Sequence, residues 1–122
     1  MTSRHARFGL IACAAFLLCA CGSQAALAPE AARGQTLDVL NQHTPASAQV
    51  VVQDVSTIVD LEPSYPVGAP ESWIILAACA DSATIDDASY VEVSVIPAES
   101  TTRELRGRIQ ENDFRPTVGD CS

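Results

Sequence analysis

The feature that most restricts this chain lies near its beginning. Arg4, His5 and Arg7 precede Phe8 to Ala20, a run of thirteen residues without a charge. A helix that crosses a bilayer needs about 20 apolar residues, so this run is short for a span and has the length of an export signal's apolar region. Removal of the first 20 residues leaves 102 of the 122, from Cys21 to Ser122. That length holds one domain with a modest core.

The junction reads Leu18-Cys19-Ala20-Cys21. It resembles the lipobox of bacterial lipoproteins: leucine three residues before the cut, a small residue just before it, and cysteine just after. Cys19 stands where Ala, Ser or Thr is usual. The resemblance implies that the Cys21 thiol carries a diacylglyceryl thioether and that Cys21 becomes the new N-terminus. One acyl chain gives only marginal membrane binding, so stable anchoring takes two. The implied location is the extracytoplasmic face of the cell membrane, with the lipid on Cys21 as the contact to it.

The exported part keeps five arginines and all fifteen acids, a formal charge of −10, and the chain has no lysine. Such a surface argues against nucleic acid and against docking on anionic lipid through a basic patch. Its cysteines reduce to a pair. Cys13 and Cys19 leave with the signal and Cys21 is acylated, so Cys79 and Cys121 remain. Outside the cytoplasm such a pair is expected to oxidise. The bridge would close about 43 residues and contribute roughly 3–4 kcal/mol in the chain-entropy picture. The alternative, a buried thiol at Cys79 and an exposed one at Cys121, leaves a reactive group outside the cell.

Residues 21–34 are rich in alanine and contain Pro29, which reads as a flexible tether; a short helix over Ala25–Arg33 is the alternative. Thr36 can cap a short helix ending at Thr44-Pro45. The β-branched run after Ala48 predicts a strand at about 48–55. Pro63, Pro66, Pro70 and Gly68 make 60–72 a loop. Trp73 to Ala80 is continuously apolar and predicts a buried central strand. Tyr90 to Ile96 alternates, with Val91, Val93 and Val95 on one face and Glu92 and Ser94 on the other. Thr101 or Thr102 can cap a last amphipathic helix carrying Leu105 and Ile109. The expected fold is a small α+β domain over 35–122. It holds a three-stranded antiparallel sheet and one or two short helices, behind the signal at 1–20 and the tether at 21–34.

Trp73-Ile74-Ile75, the Val91-x-Val93-x-Val95 strand and Gly34-Gln35-Thr36-Leu37 together resemble the PASTA modules of bacterial envelope kinases and penicillin-binding proteins. About half of the exported chain takes part. The resemblance implies one helix against a three-stranded sheet and a role in binding peptidoglycan fragments or envelope proteins. It carries over no ligand residue.

Catalytic chemistry has little to work with. His43 is the one histidine after Cys21, and no Gly-x-Ser-x-Gly elbow accompanies it. It is expected to be a solvent-exposed residue after a helix. Zinc is not expected, because one histidine and two cysteines that pair with each other leave no ligand set. Asp81, Asp86 and Asp87 cluster in one loop and Asp60 and Glu62 in another, without the spacing of an EF-hand, and are expected to be solvated. Trp73, Tyr65 and Tyr90 offer a sugar platform, although a lone Trp at a strand start is more often core. No catalytic residue, metal site or cofactor is therefore expected. The reading is a non-enzymatic envelope interaction module for a protein partner or a peptidoglycan fragment. The rivals are a small hydrolase or inhibitor, and a scavenger of metal or small ligand through the acidic loops.

Overall fold

The structure is a computed structural model that describes residues 25–63 and 69–121. The signal, Cys21 and Tyr65 lie outside the described residues. Three strands form the sheet: β1 (Gln49–Asp54), β2 (Trp73–Ala80) and β3 (Tyr90–Pro97). Among the described residues three helices accompany them: α1 (Pro29–Ala32), α2 (Leu37–His43) and α3 (Arg103–Gln110), with short 3-10 turns between elements.

The α+β class and the three-stranded sheet hold, but the sheet is mixed rather than antiparallel. Its order is β1-β3-β2; β1 runs parallel to β3, and β2 runs antiparallel to it. The central strand is β3, not β2. Residues 81–89 return the chain for an antiparallel β2–β3 pair, whereas the connection from β1 skips a position and leaves β1 on the far side of β3. The continuous burial of Trp73 to Cys79 has another cause. Both faces of the sheet are covered, and the outer edge of β2 is bridged by Thr36 against Ile74 and by Gly34 N–H to the Ile75 carbonyl at 2.8 Å.

The core is divided by the sheet. On one face Val91, Val93 and Val95 meet Trp73, Ile75 and Ala78 beneath Leu37, Leu40, Ala32 and Ile85. On the other, Ile74, Leu76, Ala77 and Ile96 pack under Leu105, Ile109, Phe114 and Val118. A register irregularity between Ile75 and Ala77 puts Leu76 and Ala77 on the same side. An extra residue in one strand does this, because side chains otherwise alternate.

Helix starts follow local chemistry. Thr36 Oγ1 accepts from the Val39 N–H at 3.4 Å and opens α2; Thr102 Oγ1 accepts from the Leu105 N–H at 3.2 Å and opens α3. Thr44 Oγ1 donates to the Leu40 carbonyl at 2.8 Å and closes α2.

The part of 21–34 that is described is not a tether. Pro29 begins α1 at its first turn, where a missing N–H costs nothing, instead of breaking a helix. Ala32 is fully buried, Leu27 packs on the core, and the Ile85 N–H donates to the Leu27 carbonyl at 2.7 Å. Residues 25–34 thus pack as part of the domain, and the helix there covers Pro29–Ala32 rather than Ala25–Arg33. Gly34 turns the chain from α1 toward α2 at φ 79°, a left-handed conformation that glycine adopts without strain.

Candidate functional site

Three places bring chemistry-bearing side chains together. The first is a groove of about 380 Å³ between the turn after β1 and helix α3, lined by residues that include Ile58, Asp60, Leu61, Glu104 and Arg108. Residues 56–59 form a 3-10 turn that ends on Asp60 in the left-handed region. The turn is anchored by Asp54, whose Oδ1 accepts from both the Ser56 N–H at 2.9 Å and the Ser56 hydroxyl at 2.5 Å. With Ser56 wholly buried, Ile58 is pushed outward and is 54% exposed, the large apolar side chain that the described surface leaves open. Across the groove the Arg108 guanidinium is already engaged: Nε lies 3.4 Å from Asp113 Oδ2 and the group stacks 4.7 Å over the Phe114 ring. Asp60 and Glu104 therefore leave the groove acidic.

The second place is His43. It is not the solvent-exposed residue expected: its side chain is 10% exposed, and Nδ1 sits 2.9 Å from Asp86 Oδ1. A carboxylate only accepts, so Nδ1 carries the proton and donates. Asp86 Oδ2 accepts the Leu27 N–H at 2.7 Å. That bond, and then the one from His43, hold the Asp86 carboxyl below the usual carboxylate range. A histidine oriented by a carboxylate resembles part of a general-base arrangement. Among the described residues, however, no hydroxyl or thiol is bonded to its Nε2. The pair fastens the segment at Leu27 to the turn at 85–87.

Asp81 and Asp87 of the same loop are exposed, as a solvated cluster would be, and they also bond within the loop. Asp81 Oδ1 accepts the Ser89 and Tyr90 N–H groups at 2.8 and 3.1 Å, and these bonds, Tyr90's first, lower its carboxyl. The Thr84 hydroxyl donates to Asp87 at 3.2 Å. The carboxylates shape their own loop. Trp73 is 2% exposed and belongs to the core, not to a sugar platform.

The third place is around the cysteines. Cys79 and Cys121 lie at disulfide distance, with Cα atoms 5.7 Å apart. Glu92 stands opposite Cys79 across the β2–β3 pair, and its carboxylate and the two sulfurs fall within 4.8 Å of one another. Two donors reach its Oε1, the Gln53 amide at 2.6 Å and the Gly119 N–H at 3.2 Å; the Tyr90 hydroxyl donates to Oε2 at 3.1 Å. Burial, and after it the proximity of Glu92, push the Tyr90 hydroxyl pKa up. Sequence reasoning found the cysteines by elimination. It placed Glu92 on an outward face and missed it, because the segment that covers that face comes from the far end of the chain.

The chain matches no family model, and no curated protein or solved structure shows a detectable similarity to it. No described helix is long and apolar enough to cross a membrane.

Proposed function

We propose that this chain is a lipid-anchored envelope protein that works without catalysis, holding a segment of a protein partner in the groove between the 56–61 turn and α3. The observation that carries the reading is Ile58, 54% exposed beside that groove of about 380 Å³. A turn whose Ser56 is buried and bonded to Asp54 holds Ile58 in water at the groove, where an apolar side chain of a partner would cover it. The lining names the occupant's chemistry. Asp60 and Glu104 are not balanced by Arg108, which is turned to Asp113 and Phe114. A partner segment with a cationic side chain next to an aliphatic one fits the groove. The location rests on the junction at Cys21, and the PASTA-like strands favour the same envelope setting.

The test is an amide NMR titration of the full chain with short Lys- or Arg-containing aliphatic peptides and, separately, with soluble muropeptides. Shifts at 58–61 and 104–108 with the peptides, lost in Ile58→Asp, are the expected result. Shifts there with muropeptides alone would replace the protein partner by a wall fragment. An undisturbed groove in both titrations would end the proposal.

A further inference from the structure

We propose that Cys79, Cys121 and Glu92 form a redox-gated site for one thiophilic divalent cation, with zinc the ion of matching chemistry: shut while the two sulfurs are joined, and open once a dithiol reductant has cleaved them. The inference is independent of the groove. It begins with topology. Cys79 and Glu92 are register partners on adjacent antiparallel strands, so their side chains leave the same face side by side. Cys121 arrives from the segment after the 115–117 turn, outside any helix or strand. All three ligand atoms lie within 4.8 Å of one another. Tetrahedral zinc, with bonds of about 2.0–2.3 Å, needs ligand atoms roughly 3.5–3.8 Å apart. Glu92 is therefore already within about 1 Å of a ligand's spacing. The sulfurs must move apart, and Cys121, on irregular backbone, is the one free of a strand's constraint.

Glu92 is prepared as a ligand. A carboxylate offers about four lone-pair directions, two on each oxygen. Gln53 and Gly119 take both on Oε1, and Tyr90 takes one on Oε2, which leaves one on Oε2. Donors that fix a ligating group from behind are what metal sites use to orient their ligands. Two thiolates and a carboxylate make three protein ligands. A cavity of about 220 Å³ touches both cysteines and leaves room for water as the fourth.

The chemistry balances. The reductant's two thiols give two electrons and two protons to the Cys79–Cys121 bond, which becomes two thiols while the reductant becomes a disulfide. Zinc then displaces both thiol protons to water. Two thiolates, one carboxylate and a divalent ion leave a single negative charge. A disulfide oxidant reverses the sequence: it takes two electrons from the two thiolates, is itself cleaved to a pair of thiolates, and leaves Cys79 and Cys121 joined and the ion released, as binding and thiol state are coupled.

Cobalt reports the geometry. In the full chain with Cys13, Cys19 and Cys21 changed to serine, cobalt added after reduction should give an intense thiolate-to-cobalt band and tetrahedral visible bands. These should saturate at one ion per chain and bleach on adding zinc. The oxidised protein should give none. Glu92→Gln should keep the stoichiometry and weaken binding by more than about tenfold, since even an outer partner of a ligand is worth that much. No charge-transfer band after reduction, one cobalt for every two chains, or unchanged affinity in Glu92→Gln would each overturn the site. If reduction alone loosens the fold, the near-ultraviolet dichroism of Trp73 shows it. Zinc must then restore that signal, and failure to do so overturns the site as well.

Discussion

Asp86 does more than its place in an acidic loop foretells. Its two oxygens join three distant parts of the chain: the Leu27 backbone, the His43 ring and its own turn. Because these bonds lower its folded-state pKa, the stability it supplies is complete above the ordinary carboxylate range. It is lost as the pH falls through the lowered value. Hydrogen exchange should show the Leu27 amide protected at neutral pH and released by acid, and Asp86→Asn should remove most of that protection at neutral pH and with it the acid step. An Asn mutant with wild-type protection would show that the charge is not what holds Leu27. None of this was legible beforehand, since His43 and Asp86 are 43 positions apart and neither has a local signal. The cysteine pair was legible, because only two thiols are left when the junction at Cys21 is taken out. Glu92 was not: its donors Gln53, Tyr90 and Gly119 come from three separate segments.

Elements were read best where a single face or cap decides them. Thr102 opening α3, and the valine alternation of β3, follow from side-chain chemistry within a few residues. Thr102→Ala should lower stability by about 1 kcal/mol, the cost of an unpaired N–H at a helix start. Denaturant melts with an unchanged slope would measure it, and no shift would mean that packing of Leu105 and Ile109 alone holds the helix. The strand direction was not readable. Val50 and Val52 of β1 fit a parallel or an antiparallel neighbour equally well, and only the path from Asp54 to Trp73 chooses. Pro29 misled for a simple reason. The same ring that breaks a helix interior suits its first turn, and the sequence alone does not say which position it holds. The second face of β3 also escaped notice. Ser94 is fully buried there, 2.6 Å from the Thr117 hydroxyl, which itself donates to the Phe114 carbonyl at 2.6 Å. A polar residue in an alternating strand points to solvent only if nothing later in the chain returns to cover it.

For the whole molecule the decisive question is attachment. Cys21→Ser should move the protein from the membrane fraction to the soluble fraction; retention in the membrane would mean that the junction is not acylated. If it is acylated, the docking of Leu27 onto the domain sets a geometric limit. Only six residue steps separate Cys21 from Leu27. At about 3.3–3.6 Å per residue, the lipid and the folded body can never be more than roughly 20 Å apart. That clearance is less than the width of a domain of this size, whose radius of gyration is about 13 Å. The body can roll over the bilayer surface but stays within that tether of it. For a partner anchored in the same membrane the encounter becomes a search in two dimensions, with its rate set by lateral diffusion and surface density.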